Sequence, residues 1–396
     1  MSFPKVTVGI FFIFFLFPSK LIWAKQYDYV PSISLNQQYD DNIYLYMKEK
    51  KSDFITCVKP RLDMGLKTER LTLKGLLQLT ILKYFYNSQL STVEQHYTTD
   101  LDYLVSERLS SKFRINYVRD TTLQSEWQNT GIALTRTIRK NYNAAAKVKY
   151  KVSERDLLSI SPFYKAINYQ STYSNYWMTG VDIGLKHQLD NSKAIIAIKL
   201  LYNHTATTDI KTNNYIILGG LKYLLSETST INFLAGINYL RSKISYKQIT
   251  IYYPFFIVNT HTKTQRKLGT IATIRYTKNF ETSSINIGIQ RTAIPNSSGE
   301  IIIRNKFYFS VRKNINTRNT INLNVNYYYS DYNTGLSTIN YYSYDIYSSY
   351  NYLITKHILL LASYRRQFYK NKINSLSATR NVVLIGIKWI IPYQWQ

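Results

Sequence analysis

Cysteine is almost absent from this sequence: Cys57 is the only one in 396 residues, so no internal disulfide can staple the chain. Proline (8) and glycine (14) are also scarce, which argues against a soluble β-sandwich, where Gly/Pro-rich turns recur about every 8 to 12 residues. After the N-terminal segment no run of about 18 apolar residues occurs, so no membrane-spanning helix is expected. A mean hydropathy of −0.25 is too polar for a bundle of such helices. Acidic residues number 23 against 50 lysines and arginines, for a formal charge of +27. This imbalance favours polyanions or anionic lipid as partners. Catalytic signatures are missing as well. His96, His187, His204, His261 and His357 are scattered singly, without a nucleophile motif. No Gly-rich phosphate loop or metal-ligand spacing is present, so no enzyme, cofactor or metal is expected.

Tyrosine, by contrast, is abundant, with 38 residues. The N-terminus carries Lys5, the apolar run Val6 to Phe17 and a small residue, Ala24. This order reads as a secretory leader over residues 1–24, with Lys20 atypical, and a mature chain from Lys25. No cysteine stands near Ala24, so a lipoprotein anchor is not expected. Export makes nucleic acid the weakest of the candidate polyanions, and none is expected as a partner.

The rest of the chain alternates. Over residues 54 to 67, Phe54, Val58, Pro60, Leu62, Met64 and Leu66 share one face of a strand, and Lys59, Arg61, Asp63 and Lys67 share the other. Leu71, Leu73, Leu77, Leu79 and Ile81 oppose Lys74 and Gln78 in the same way. Further along, Phe113, Ile115 and Tyr117 oppose Lys112 and Arg114, while Tyr142 to Val152 oppose Lys147, Lys149 and Lys151. Ile301 to Val311 oppose Arg304, Lys306 and Arg312, and Ile321 to Tyr327 oppose Asn322, Asn324 and Asn326.

Eight polar corners divide these runs, near residues 69, 107, 154, 192, 227, 281, 317 and 356. Longer segments, such as residues 39–52, 118–129 and 244–265, separate them. Eight short turns alternating with nine longer loops imply about 18 strands, within a range of 16–20. Strands that are apolar on one face and polar on the other, with short turns at one rim and long loops at the other, describe a closed antiparallel outer-membrane β-barrel over residues 25–396. Closure is required because hydrocarbon leaves no unpaired backbone group a partner. The last run places Val383, Ile385, Ile387, Trp389 and Ile391 toward lipid, with Trp395 penultimate. No separate domain, plug or long linker is expected.

The corner Asp41-Asn42-Ile43, the strand start Ser52 to Ile55 and the turn Ser153 to Asp156 resemble features of a bacterial outer-membrane β-barrel family associated with exopolysaccharide and exosortase gene clusters. The resemblance implies the barrel architecture across essentially the whole mature chain. Its motifs are short and structural. This chain departs from the family in being richer in Lys and Tyr and poorer in Gly.

Function is expected to reside in the lumen. Lys59, Arg61, Lys74, Lys112, Arg114, Lys147, Lys149, Lys151, Arg304, Lys306 and Arg312 would line an anion path, joined by Lys186, Arg275 and Arg365. The alternative for these residues is pairing with inward acids such as Asp63 and Asp182. The tyrosine clusters at 326–332 and 340–352 read as membrane-interface belts ahead of sugar-stacking surfaces. Asp40, Asp41 and Asn42 read as a hydrogen-bonded corner ahead of a Ca²⁺ site. The expectation is a porin-like barrel that passes anions or supports export of an acidic polysaccharide, with an inward-folded loop near 246–264 as its constriction. Outer-membrane lipid, lipopolysaccharide, the barrel-assembly machinery and an acidic polysaccharide are the expected partners. A structural or glycan-binding barrel without an open pore is the alternative.

Overall fold

Alternating side chains commit each run to a strand, and in the computed structural model every run finds two antiparallel neighbours. The structure describes residues 26–123, 127, 136–170, 173–190, 193–252, 255–296, 298–333, 338–391 and 393–395. The expected leader, residues 1–24, lies outside them. The strands are β1 (Gln26–Asp40), β2 (Asp53–Lys67), β3 (Leu71–Tyr84), β4 (Thr92–Leu104), β5 (Leu109–Thr121) and β6 (Ile138–Lys151). They continue as β7 (Asp156–Tyr169), β8 (Tyr176–Gln188), β9 (Ala194–Ala206), β10 (Ile210–Ser226), β11 (Ser229–Tyr252) and β12 (Phe255–Asn279). The last six are β13 (Ser283–Pro295), β14 (Ile301–Asn314), β15 (Asn319–Asn333), β16 (Thr338–Thr355), β17 (Ile358–Asn371) and β18 (Ser377–Ile390), and pairing resumes beyond β18 over Tyr393–Trp395.

Each strand pairs with its sequence neighbours, and β1 closes the ring. It pairs with β2 from Gln26↔Lys67 to Asp40↔Asp53 and with β18 from Ser32↔Ile390 to Asp40↔Val382. Tyr27↔Trp395 extends the seam. The result is a closed 18-strand antiparallel barrel with no free edge, the only sheet form that satisfies its backbone inside lipid. All eight expected corners fall between consecutive strands on one rim, here the turn rim. The other nine connections form the loop rim; not all are long as expected, since only three residues separate β9 from β10 and two separate β11 from β12.

Register fixes the two faces. Ile33, Leu35, Leu77, Ile115, Val148, Ile217, Ile237, Ile289 and Phe307 are all exposed on the outside. So are Val383, Ile385, Ile387, Trp389 and Ile391, the set expected to face lipid. Tyrosines form an outer belt: Tyr97, Tyr117 and Tyr142 lie in sequence at 5.7 and 5.0 Å, and Tyr202, Tyr215 and Tyr239 at 5.1 and 6.3 Å. The two tyrosine clusters split by parity. Tyr327, Tyr342 and Tyr344 join the belt, whereas Tyr328 and Tyr341 point inward and are buried.

Residues 246–264 correct the sequence reading. They do not fold inward as a loop. Residues 246–252 and 255–264 extend β11 and β12 as a two-stranded ribbon, paired from Ser245↔Thr262 to Tyr252↔Phe255, with 253 and 254 outside the described residues. β10 stops pairing at Ile244 and β13 at Ala272, so the ribbon projects beyond its neighbours by roughly 25 Å at about 3.4 Å per residue. The stretch is rich in Ile, Val and Thr, which favour extended backbone, and each ribbon strand satisfies the other's backbone groups.

The Asp40-Asp41-Asn42 corner locks the loop rim at the seam. Asp40 accepts from Arg380 at 2.6 and 3.0 Å and from the Asn42 amide at 3.0 Å. Asp41 accepts from the Asn381 amide and side chain at 2.6 and 2.7 Å. Asn42 donates to the carbonyls of Tyr46 and Thr379. These bonds occupy the oxygens that a cation would have used. Asp40 is fully buried, so Arg380→Met, which strands its charge, is expected to cost about 3–5 kcal/mol, and Asp40→Asn/Arg380→Met should recover part of that loss. Urea-induced unfolding of the refolded barrel, followed by its β-sheet dichroism, measures both.

Candidate functional site: the barrel lumen

Parity carries one alternating set of side chains on each strand to the inside, and most of the polar residues named in the sequence belong to it. All eleven residues expected on the anion path stand on the lumen face, as do Lys186, Arg275 and Arg365. They are not equivalent, because the inward acids are unevenly distributed around the wall.

On β2 to β5 the cations are matched. Arg61 donates to both oxygens of Asp63 at 2.7 and 2.6 Å. Lys112 reaches Asp102 at 3.1 Å, and the Arg114 guanidinium makes a two-bonded pair with Asp100. The charge of Lys59 acts on Glu94. Lys74 shares this wall, opposite Asp100 in register. Across the barrel, Arg365 holds Asp345 at 2.7 and 2.9 Å. For these residues, pairing with inward acids is the better description.

On β6 to β10 the balance is different. Lys147 and Lys149, with Lys151 at the mouth, face the lumen beside Lys186 of β8, Lys199 of β9 and Lys222 of β10. The charges of Lys147, Lys149, Lys199 and Lys222 all act on Lys186. Asp182 lies 3.7 Å from Lys199 in this wall, and toward the loop rim the buried Arg139 of β6 lies 3.7 Å from Asp120 of β5. Near the turn rim Lys67, Arg70, Lys112, Lys147 and Lys149 converge with the acids Glu69 and Asp102 on a pocket of about 300 Å³. Such a surface attracts anions, since its field is only partly cancelled within the wall.

On β14 the cations lie against rings. Lys306 sits 5.5 Å from the Tyr308 ring and 5.4 Å from that of Tyr328, and Arg304 lies 5.8 Å from Tyr328. Tyr308 has room to lie across the wall because its partner in register is Gly288, where an added Cβ would come within 2.4 Å of the ring. Its hydroxyl accepts from Arg275 at 2.7 Å. Arg312 stands nearer the turn rim, opposite Ser284 and Asn322.

Lys199 and Lys222 escaped the sequence reading. In "AIIAIKLLYNH" the inward neighbours of Lys199 are Ala197 and Leu201, and in "LGGLKYLL" those of Lys222 are Gly220 and Leu224. Without a polar residue two positions away, alternation loses its contrast. Strict parity counting from Tyr202 or Tyr215 would have found both.

The outer half of the lumen is narrowed by side chains that the sequence reading did not place there. Trp127, between β5 and β6, is fully buried and packs with Leu123, Leu45, Tyr341, Tyr369 and Ala378. Its ring meets that of Tyr369 edge-on at 6.2 Å, on a strand six places away around the ring. Ile43 of the β1–β2 loop is likewise fully buried against Ile55, Cys57 and Tyr84, and Arg136 lies 4.7 Å from the Tyr84 ring. Cys57 is thus a packed filler.

The histidines do not assemble a reaction centre among the described residues. His187 Nδ1 meets Asp156 at 2.9 Å, and Ser153 donates to that same carboxylate at 2.7 Å. The carboxylate therefore sits between serine and imidazole, the wrong order for a base acting on the hydroxyl.

No family model and no curated protein matches the sequence. Among solved structures, the barrel is similar to the ferric-catecholate import receptor Fiu from E. coli K12, at 7% identity and TM-score 0.52 over 92% of this chain and 81% of that one. It is also similar to the copper transporter OprC, at 10% identity and TM-score 0.49 over 87% of this chain, and spans 64% of OprC's length. OpdK from Pseudomonas aeruginosa aligns at 7% identity and TM-score 0.43 over 92% of this chain and 99% of that one. The likeness to Fiu is one of fold, that of an outer-membrane barrel.

If Trp127 sets the narrowest part of the lumen, Trp127→Ala raises the single-channel conductance of the refolded protein in a planar bilayer. Trp177→Ala, which removes a lipid-side ring, leaves conductance unchanged.

Proposed function

We propose that this chain is a porin-like outer-membrane barrel whose lumen passes anions along the lysine wall of β6 to β10. The observation that carries the reading is the excess of cations there: Lys147, Lys149, Lys186, Lys199 and Lys222 act on one another's charge with Asp182 as the paired acid. In a lumen walled by low-dielectric protein and lipid, these charges lower the barrier to an anion more than they would in water. The pocket lined by Lys67, Arg70, Lys112, Lys147 and Lys149 against Glu69 and Asp102 gives the path an entrance or exit with an excess of cations at the turn rim.

An acidic polysaccharide is the proposed cargo beyond simple anions. This rests on the resemblance of Asp41-Asn42-Ile43, Ser52 to Ile55 and Ser153 to Asp156 to barrels associated with exopolysaccharide clusters, and on repeated cations spaced along the wall. Export through a leader and insertion by the barrel-assembly machinery belong to the same proposal. A second reading, a barrel without an open pore that serves as a structural or binding element, is favoured by the burial of Ile43 and Trp127 within the outer lumen.

Reversal potential under a salt gradient separates the two readings. The anion path predicts an anion-selective current, blocked by an acidic polysaccharide added on the turn-rim side. Replacing Lys147, Lys149, Lys186 and Lys222 with Gln lowers the anion-to-cation permeability ratio by on the order of tenfold. At 1 M salt, where the Debye length is about 3 Å, wild type and variant converge. A silent barrel, or a selectivity unmoved by the substitutions, rejects the anion path.

A further inference from the structure

The outer surface carries a pattern that the lumen reading does not use. Directly above the tyrosine belt, toward the loop rim, cations face cations across neighbouring strands. Tyr117 and Tyr142 are partners on β5 and β6, and two residues further out Arg119 is the partner of Lys140. Tyr215 and Tyr239 are partners on β10 and β11. Two residues beyond Tyr239, Arg241 is the partner of Arg266 on β12, and in the next outward row Lys211 of β10 is the partner of Lys243. Parity puts all six cations outside, in line with the exposed Ile115, Val148, Ile217, Ile237 and Leu268.

Like charges directly opposite one another oppose strand pairing. Here they recur on two separate stretches of wall at the same height. Among the described residues the β10–β12 stretch supplies no matching acid, whereas the charge of Arg119 acts on the buried Glu94 of β4. Arg119 donates to the Val93 carbonyl, and among the described residues none of the six has a carboxylate within ion-pairing distance. Asp209, the nearest acid in sequence to Lys211, stands at the β9–β10 turn, where its amide donates to Thr207. From Ser229 to Phe280 the chain contains no Asp or Glu at all.

The height of these pairs identifies what neutralises them. Tyrosines mark the membrane interface, and a step of two residues moves outward by about 7 Å, to the level of lipid headgroups. The loop rim is the outer side of such barrels. We infer that the Arg241/Arg266 and Lys211/Lys243 pairs, with Arg119/Lys140 as a second patch, bind the phosphate groups of a phosphorylated glycolipid of the outer leaflet, the lipid portion of lipopolysaccharide. Two directly opposed cations offer converging donors to one phosphate, and arginine suits its geometry. The glycolipid's acyl chains would lie on the apolar outer wall below, over Tyr239 and Leu268. This site is independent of any current through the lumen.

Native mass spectrometry of the refolded full chain in detergent micelles tests the assignment, with bisphosphorylated lipid A and its dephosphorylated form as probes. The wild type should retain the phosphorylated form. Lys211→Gln/Arg241→Gln/Lys243→Gln/Arg266→Gln should weaken retention by at least about tenfold while keeping wild-type sheet dichroism. Lys222→Gln, a lumen change, should leave it unaltered. Equal retention by the quadruple variant overturns the inference, as does equal retention of the dephosphorylated lipid. If inorganic phosphate binds as tightly as the lipid, the glycolipid is the wrong occupant. The Arg119→Gln/Lys140→Gln pair gives a second reading should the quadruple variant fail to fold.

Discussion

Everything in this molecule depends on the pairing of β1 with β18. A sheet in hydrocarbon has no water to satisfy an edge, and here the last edge disappears only when Ser32 to Asp40 line up with Ile390 to Val382. Once that seam is made, each strand has two partners and the side-chain parity of the whole ring is fixed. A slip of one residue at any one pairing would turn that strand's lumen side chains toward lipid and its outer side chains inward. Lumen chemistry and surface chemistry are thus two outcomes of one register.

Charge is then sorted by position around the ring. The wall formed by β2 to β5 alternates acids and bases that satisfy each other, as in Arg61 with Asp63 and Arg114 with Asp100. The wall of β6 to β10 keeps its positive charge. Under the proposed anion path, this asymmetry would draw an anion toward the lysine wall instead of holding it on the axis. Toward the loop rim, Trp127 meets Tyr369 and its buried cluster occupies part of the lumen.

Much of this was legible in the sequence because strand periodicity is short and survives without tertiary context. The eight corners, the strand number and the facing of Lys147 or Arg304 follow from alternation alone. The count of inward acids was less clear: Asp100, Asp102 and Glu94 sit in "TVEQHYTTDLDYL", where tyrosine and threonine blur the two faces. Loops were the least legible. Nothing local distinguishes residues 246–252 and 255–264, which remain extended, from Trp127, which is buried against Tyr369 on the far side of the seam. Backbone partners decide the first and distant side chains the second. The resemblance to exopolysaccharide-associated barrels likewise rests on corners and strand starts, the residues that build the wall.

The seam also has a kinetic consequence. Tyr27 meets Trp395, so the contact that completes the structure joins opposite ends of the barrel's sequence. All the hairpins can form locally, but this contact bears the full entropy of closing the intervening chain. Until it forms, β1 and β18 each present an unpaired edge, and such edges invite pairing with another chain. Assembly should therefore be slow and concentration-sensitive in its last step, and a helper that shields those two edges would speed closure without altering the final structure.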